Sequence, residues 1–227
     1  MLRKLKNKIS HQKRVYFLSK IYEKFSDFTM LSERAYVDNL ILGERIKKVE
    51  GCVIECGVWR GGMIAGLADL LGEKRNYHLF DSFQGLPQAQ EIDGKAALQW
   101  QSDTNGKMYH DNCYAPQEYA EKAMSISRAK SYTLHKGWFE ETLGDVDIKE
   151  GIALLRLDAD WYKSTKICLD TLFQHVNKDG LVILDDYYTW DGCSKALHDF
   201  LSYNSRPERI KSFNSICFLL KNSDEQY

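Results

Sequence analysis

Short apolar runs that alternate with helix-like segments constrain the fold of this chain more than any other feature. Five runs of strand length occur between residues 52 and 186, bounded by turn-forming or polar residues. Some intervening segments have helical periodicity, as where Cys168, Leu172 and Val176 recur at every fourth position. Because strands alternating with helices form a mostly parallel sheet covered on both faces, we predict an α/β fold. Two last runs, 209–213 and 215–221, predict a closing hairpin.

Glycines mark the predicted helix ends. Gly61 and Gly62 stand where the first helix of the alternating region should begin, and Gly72 stands where it should end. Gly180 is the expected stop of the helix predicted over 164–176.

Length and composition limit the class of protein. A chain of 227 residues suits one α/β domain with a sizeable core. Lys and Arg number 31 against 32 Asp and Glu, a net charge of −1 that argues against general nucleic-acid binding. No apolar stretch approaches the roughly 20 residues of a transmembrane span. The six cysteines are scattered without a C-x-x-C pair, so we expect reduced packing residues in a cytoplasmic protein.

The first 28 residues differ from the rest. Residues 1–28 are basic and helix-like, with an apolar stripe that includes Phe17, Ile21 and Phe25, and we expect one domain over 29–227. The helical extension would pack on this domain or on a second copy of the chain, which predicts a homo-oligomer. Attachment to a membrane surface is the alternative.

Two of the predicted strands end in paired carboxylates. Asp158 and Asp160 follow one apolar run, and Asp185 and Asp186 end another. Ligands of parallel sheets bind beyond the carboxyl ends of the strands, so these acids should share one edge. Asp158, Asp185 and Asp186 suit a hard cation, Mg²⁺ first and then Mn²⁺ or Ca²⁺, and Asp160 would be free to accept a proton. The alternative is a set of solvated acids that cap helices.

A glycine-rich turn predicts a second half of the same site. Gly57, Gly61 and Gly62 allow a tight turn between the first strand and helix, and the helix N-terminus offers N–H groups to an anion. Asp81, at the end of the next strand, could accept hydrogen bonds from ribose hydroxyls. We therefore predict a nucleoside-bearing cofactor. The turn lacks the G-x-G-x-x-G spacing of nicotinamide sites and the G-K-[ST] ending of phosphate-binding loops. A plain turn is the alternative.

Six motifs in one order resemble a known family. They are Thr29-Met30, ECGVWRGG (55–62), FDSFQGLP (80–87), GWFEETL (137–143), LRLDADWYKST (155–165) and VILDDY (182–187). Over residues 29–196 the chain resembles the macrocin O-methyltransferase family, which methylates sugars in macrolide and aminocoumarin biosynthesis.

The resemblance implies a Rossmann-like class I methyltransferase fold with seven strands, the last of them antiparallel. It implies S-adenosyl-L-methionine and Mg²⁺ (or Mn²⁺) as cofactors, and a sugar hydroxyl of a glycosylated natural product or surface glycan precursor as acceptor. It places metal ligation on Asp158, Asp185 and Asp186, and the general-base role on Asp160. The implied cofactor contacts are Met30, Glu55, Gly57, Trp59, Arg60, Gly61, Gly62, Asp81, Ser82, Gly137 and Trp138.

The chain also departs from the family pattern. Ala159 and Trp161 stand where the family usually has Gly and Met, which predicts a reshaped acceptor pocket. Residues 88–115 match no pattern of the family and are long enough for a lid over the acceptor. Within this stretch, four aromatic side chains could contact a sugar: Trp100, Tyr109, His110 and Tyr114. A loop packed on the surface is the alternative.

Two other functions stay open at this point. A catechol-type O-methyltransferase would use a lysine shortly after the first Asp as base, and Lys163 is the candidate. A non-catalytic binding protein could keep the fold, although such proteins usually lose acids of the metal site. His135 and His198 are expected to be packing residues.

Overall fold

The computed structural model describes residues 2–107 and 109–222, and the side chains of this part from residue 12 onward. Residue 1 of the predicted extension (1–28) and residues 108 and 223–227 of the predicted domain (29–227) therefore lie outside the described residues. Within the described ranges the model has eight α-helices and seven strands around one sheet.

The seven strands form one mixed sheet. They are β1 (Cys52–Cys56), β2 (Asn76–Asp81), β3 (Ser131–Lys136), β4 (Ile152–Leu157), β5 (Val176–Leu184), β6 (Lys211–Phe213) and β7 (Ile216–Leu220). Their order is β3-β2-β1-β4-β5-β7-β6. The first five pair in parallel, and β7 is antiparallel to both β5 and β6. This confirms the predicted fold, including the antiparallel last strand and the closing hairpin.

The predicted helix stop at Gly180 is wrong. The helix ends at Leu172 and a short 3₁₀ turn over Phe173–His175 leads directly into β5. Gly180 lies inside that strand, where its carbonyl accepts a hydrogen bond from the backbone N–H of Lys221. The start of this strand is hard to recognise from sequence, because Asn177, Lys178 and Asp179 are polar and the continuous apolar run begins only at Leu181.

The helices cover both faces of the sheet. They are α1 (Leu2–Phe25), α2 (Glu33–Gly43), α3 (Gly62–Leu71), α4 (Lys95–Ser102), α5 (Gln117–Ile126), α6 (Phe139–Thr142), α7 (Tyr162–Leu172) and α8 (Asp191–Tyr203). One apolar core lies between the sheet and α1, α2, α3 and α5, and a second lies between the sheet and α7 and α8. Gly61 and Gly72 bound α3 with positive φ angles of 78° and 90°, as predicted.

The N-terminal extension is helical and packs on the domain. Helix α1 contacts α2 and α3 and buries Leu18, Ile21 and Phe25. Phe17, which the predicted stripe included, is instead 52 % exposed, because its neighbour Leu18 takes the buried position on the face that Ile21 and Phe25 share. The homo-oligomer contact through this helix stays a prediction, and the exposed aromatic pair Tyr16 and Phe17 would be its first test. Among the described helices, none has the length and apolarity needed to cross a membrane.

The predicted lid is more ordered than an irregular loop. It contains α4, and Gln101 of this helix fastens the stretch by bonding to the backbone of Pro87 and Ala89. The ring of Trp100 lies within about 6 Å of three other aromatic rings, those of Tyr109, Trp161 and Trp190. Four consecutive residues, 110–113, have positive φ angles. Whether this segment opens and closes stays a prediction.

Candidate active site at the carboxyl edge of the sheet

One cavity of about 510 Å³ lies beyond the carboxyl ends of β1, β2, β4 and β5, a usual size for a small-molecule site. All four acids of the predicted metal and base set line it: Asp158, Asp160, Asp185 and Asp186. Eight of the eleven predicted cofactor contacts also line it: Met30, Glu55, Gly57, Trp59, Asp81, Ser82, Gly137 and Trp138. The structure thus brings most of the two predicted half-sites to one cavity.

Gly57 sets how closely the two halves approach. Its φ is 83°, and a Cβ atom at this position would lie 1.8 Å from the carbonyl oxygen of Asp158. The loop after β4 also donates the backbone N–H of Asp158 to the carbonyl of Cys56 at 2.9 Å. Only glycine permits this contact, so the cofactor turn and the acidic loop are held against one another by backbone atoms.

Asp81 organises the loops around it. Its carboxylate accepts the backbone N–H groups of Val58 and Trp59 at 2.8 and 2.9 Å, and that of Phe83 at 2.7 Å. Trp59 and Phe83 both have positive φ angles, an unusual conformation for residues with side chains. Burial raises the pKa of Asp81, and the three N–H donors oppose that rise. The carboxylate therefore holds two strained turns in place at the mouth of the cavity.

Arg156 is the main residue that the sequence reasoning missed. It lies in β4 with no exposed side-chain surface and donates to Glu55 at 2.5 Å, Asp158 at 2.8 Å and Asp185 at 2.5 Å. Burial opposes its charge, but the acids Asp185, Asp158 and Glu55 raise the pKa of Arg156 well above its usual range. A positive residue inside the apolar run IALLRL was the available signal, because a buried charge requires partners.

The acids at the end of β4 and β5 divide into two groups. One candidate ligand oxygen each from Asp158, Asp160 and Asp186 lies within 4.8 Å of the others. Asp185 is held by Arg156 and is not in this group. The set brought together therefore shares two members with the predicted metal set and has Asp160 in place of Asp185, so the assignment of the third ligand stays a prediction.

The donor set fits a hard divalent cation. Burial first, and the neighbouring carboxylates second, raise the pKa values of both Asp160 and Asp186. Carboxylates that crowd one another in this way are stabilised by a cation, and an all-oxygen set is what Mg²⁺ prefers. The free thiol of Cys113 also lines the cavity, where burial and the same acids raise its pKa.

Asp160 is held in an unusual conformation. Its φ is 53°, and its backbone N–H donates to the carboxylate of Asp186 at 3.2 Å. Its Oδ1 accepts the indole N–H of Trp190 at 2.9 Å. Trp190 was not predicted from sequence, because nothing in the sequence places this residue, thirty positions further on, beside Asp160.

Three predicted cofactor contacts lie outside the cavity lining: Arg60, Gly61 and Gly62. The Arg60 guanidinium lies over the rings of Trp59 and Tyr119, with 4.3 and 4.5 Å to their centroids. Gly62 packs against the chain before α2, where a Cβ atom would lie 2.5 Å from the carbonyl oxygen of Phe28. Their role as cofactor contacts stays a prediction.

The remaining residues singled out from the sequence lie mostly outside the cavity. Lys163, the alternative base, is exposed on α7 and does not line the cavity. The four aromatic residues of the predicted lid are likewise absent from the lining, to which the described part of the lid region contributes Cys113. His135 stacks on Phe80 with 4.2 Å between ring centroids and so packs as expected, whereas His198 is exposed and bonds to Tyr187 at 2.9 Å.

Comparison with known proteins adds the family to this geometry. A family model described as Macrocin-O-methyltransferase (TylF) matches residues 27–221. The chain belongs to the macrocin O-methyltransferase family. The resemblance in the six motifs is thereby confirmed.

Relatives in this family are about 30 % identical to the chain over the residues that match. Demethyldecarbamoylnovobiocin O-methyltransferase of Streptomyces niveus is 31 % identical over 163 residues, 67 % of this chain and 58 % of that protein. Mycinamicin III 3''-O-methyltransferase of Micromonospora griseorubida is 29 % identical over 160 residues, 67 % of this chain and 61 % of that protein. The match thus spans about three fifths of the length of these relatives.

Solved structures confirm the fold. The O-methyltransferase NovP superposes with a TM-score of 0.72 at 23 % identity, covering 86 % of this chain and 82 % of that one. The calicheamicin methyltransferase CalS11 superposes with a TM-score of 0.62 at 19 % identity, covering 93 % and 92 %. The macrocin O-methyltransferase family member described here therefore has a class I methyltransferase fold.

Proposed function

We propose that this protein is an S-adenosyl-L-methionine- and Mg²⁺-dependent O-methyltransferase that acts on a sugar hydroxyl. One observation carries the proposal: a single cavity joins the glycine turn with Asp81 on one side to four carboxylates on the other. Family membership supports the reaction class, since the relatives above are O-methyltransferases by name.

The cofactor half of the cavity would bind the nucleoside. Asp81 has one carboxylate oxygen that accepts two N–H groups and one that accepts a single N–H, so it retains acceptor capacity toward a ribose hydroxyl. Gly137 and Trp138 line the same half and offer a flat surface for an adenine ring. The bound cofactor supplies the electrophilic methyl group, and the protein fixes its position.

The acidic half would bind the metal and the acceptor. Asp158, Asp185 and Asp186 would hold the cation, which supplies Lewis-acid stabilisation of a deprotonated hydroxyl. Asp160 would accept the proton of that hydroxyl on its Oδ2 atom, because Trp190 occupies Oδ1. Arg156 would hold the carboxylates of Glu55, Asp158 and Asp185 together by pairing with all three.

The placement of Lys163 favours an aliphatic acceptor over a catechol. A catechol-type mechanism with this lysine as base needs its neutral amine in the cavity, whereas the side chain is exposed and does not line the cavity. The names of the relatives concern sugar-bearing molecules, such as a rhamnosyl tetracenomycin methylated at its 4' position. We therefore propose a sugar with adjacent hydroxyls as acceptor. A purely binding function is disfavoured because all four acids line the cavity.

A methyl-transfer assay tests the function. Labelled S-adenosyl-L-methionine, Mg²⁺ and a panel of sugar-bearing natural products, nucleotide sugars and catechols would be incubated with the wild type, Asp160→Asn and Lys163→Gln. The proposal expects transfer to a sugar acceptor, lost in Asp160→Asn and retained in Lys163→Gln. Methyl transfer that is confined to catechols and is lost in Lys163→Gln would show a catechol-type O-methyltransferase instead.

A further inference from the structure

A second group of side chains of the types that bind metals lies toward the amino ends of β1 and β4. Among the described residues, Cys52, His78 and Glu150 each offer one ligand atom, and these atoms all lie within 4.8 Å of one another. Cys52 comes three residues before Glu55, which lines the cavity from β1, and His78 comes three residues before Asp81, which lines it from β2. With about 3.3 Å per strand residue, the two sites are about 10 Å apart.

The three side chains come from three separate segments. Cys52 begins β1, His78 lies in the middle of β2, and Glu150 precedes β4 by two residues. Burial decreases in the same order: Cys52 is buried, His78 is half-buried and Glu150 is exposed. The group therefore reaches from the apolar interior to solvent, which gives an ion a path of entry.

Two of the three side chains are oriented by further partners. The Nδ1 atom of His78 lies 3.0 Å from Nε2 of His135, so the described residues leave the Nε2 atom of His78 available to a metal. Oε1 of Glu150 accepts the amide of Asn76 at 2.6 Å, which leaves Oε2 for a ligand role. Such outer partners of a histidine and a carboxylate are typical of metal sites, where they fix the ligand orientation.

The chemistry of the group selects the class of metal. One sulfur, one imidazole nitrogen and one carboxylate oxygen match the ligands of Zn²⁺ and related borderline ions, and differ from the all-oxygen set at the cavity. Tetrahedral bonds of 2.0–2.3 Å place donors about 3.5 Å apart, so closing the group requires side-chain movements of about 1 Å. Three protein ligands leave a fourth position open to water.

The electrostatic surroundings are compatible with a cation. Burial raises the pKa of the Cys52 thiol to about 12, and Glu150 adds to that rise. A divalent ion reverses this effect, because a coordinated thiol is deprotonated. Arg75 is the nearby positive group, and its guanidinium is occupied by the backbone carbonyls of Gly51 and Ile46 at 2.8 and 2.9 Å.

We propose that Cys52, His78 and Glu150 form a zinc-type metal site, separate from the catalytic cavity, that ties the loop before β4 to β1 and β2. The site goes beyond the proposed function and does not depend on it. An ion bound only by the folded chain stabilises it by mass action, so the site would act as a structural clip.

Cobalt titration tests the site, because a Co²⁺–thiolate bond gives a charge-transfer band. The full chain would be titrated with Co²⁺ in excess Mg²⁺, as wild type, Cys52→Ala and the matched control Cys113→Ala, whose thiol lies in the catalytic cavity. The proposal expects one equivalent of thiolate-bound Co²⁺, lost in Cys52→Ala and kept in Cys113→Ala. A band that survives in Cys52→Ala, or no band in the wild type, would overturn it.

A second variant covers the case in which Cys52→Ala does not fold. Glu150→Gln changes an exposed side chain without changing its size, and we expect it to weaken Co²⁺ binding about tenfold or more. Zn²⁺ at a hundredfold excess over its Kd should raise the Tm of the wild type by about 5 °C or more. Unchanged Co²⁺ affinity in Glu150→Gln, or an unchanged Tm with Zn²⁺, would refute the site.

Discussion

The two sides of the cavity are held together by different forces. On the cofactor side, the carboxylate of Asp81 is satisfied by three backbone N–H groups, and Gly57 brings backbone atoms into contact. On the acceptor side, the buried guanidinium of Arg156 pairs with Glu55, Asp158 and Asp185, and Asp160 and Asp186 lie beside Asp158. Burial and mutual repulsion raise the pKa values of several of these carboxylates. The first side is complete within the protein, whereas the second has an excess of negative charge that a divalent cation would neutralise.

The largest expected effect comes from removing the positive centre of the acidic side. Arg156→Met leaves Glu55, Asp158 and Asp185 without their buried partner, which should lower the free energy of unfolding by about 3–5 kcal/mol. Urea unfolding followed by circular dichroism measures this change. Arg14→Met is the control, because its pair with Glu44 is partly exposed and should contribute at most about 1 kcal/mol. Equal losses in the two variants would remove the special role of Arg156.

The second effect is on turnover rather than on the stability of the fold. Asp160→Asn should lower kcat by about 10²–10⁴-fold, because the acceptor hydroxyl loses its proton acceptor. Binding of S-adenosylhomocysteine, measured by calorimetry, should be unchanged, since Asp160 belongs to the acidic side. If the variant loses nucleoside binding together with turnover, Asp160 has a structural role instead.

The third effect concerns the cofactor side of the cavity, where backbone N–H groups donate to Asp81. Asp81→Asn places an amide against N–H donors of Val58, Trp59 and Phe83 and removes their charged acceptor. We expect a loss of about 1–3 kcal/mol in unfolding free energy and at least about tenfold in affinity for S-adenosylhomocysteine. Mg²⁺ binding should change little. A selective loss of Mg²⁺ binding in this variant would contradict the division of the cavity into two sides.

A smaller effect is expected where one indole positions the base. Trp190→Phe keeps the ring in the aromatic cluster but removes the N–H donor to Asp160, so kcat should fall about tenfold with little change in KM. Trp100→Phe is the matched control within the same cluster. Equal kcat in the two variants would show that the hydrogen bond to Asp160 does not matter for turnover.

The smallest effect is a pH dependence outside the cavity. Burial, with His78 second, lowers the pKa of His135 to about 4, below the value of about 6.5 in an unfolded chain. Its contribution is therefore fully present above about pH 6.5 and is lost as the pH falls from there toward 4. His135→Gln should flatten the decrease in stability between about pH 7.5 and about pH 5, measured by urea unfolding with a chelator present. An equal flattening in His198→Gln would contradict this assignment.

The fold and the edge that carries the site could be predicted from sequence, because both rest on local patterns. The strand-ending acids and the turn at Gly57 identify themselves by their neighbours in the chain. The long-range partners could not be predicted in this way. Trp190 reaches Asp160 only after the loops beyond β4 and β5 fold together, and Arg156 binds Asp185 from an adjacent strand. The start of β5 was missed for a local reason, since the polar residues 177–179 separate Val176 from the apolar run that begins at Leu181.

The excess negative charge on the acidic side can be tested by adding Mg²⁺ to the S-adenosylhomocysteine complex in a calorimeter. We expect saturable binding of one Mg²⁺ in the wild type, which Asp186→Asn and Asp185→Asn abolish and Asp160→Asn retains. Loss in Asp160→Asn with retention in Asp185→Asn would reassign the third ligand to the group that the structure brings together. No Mg²⁺ binding by the wild type complex would contradict the account.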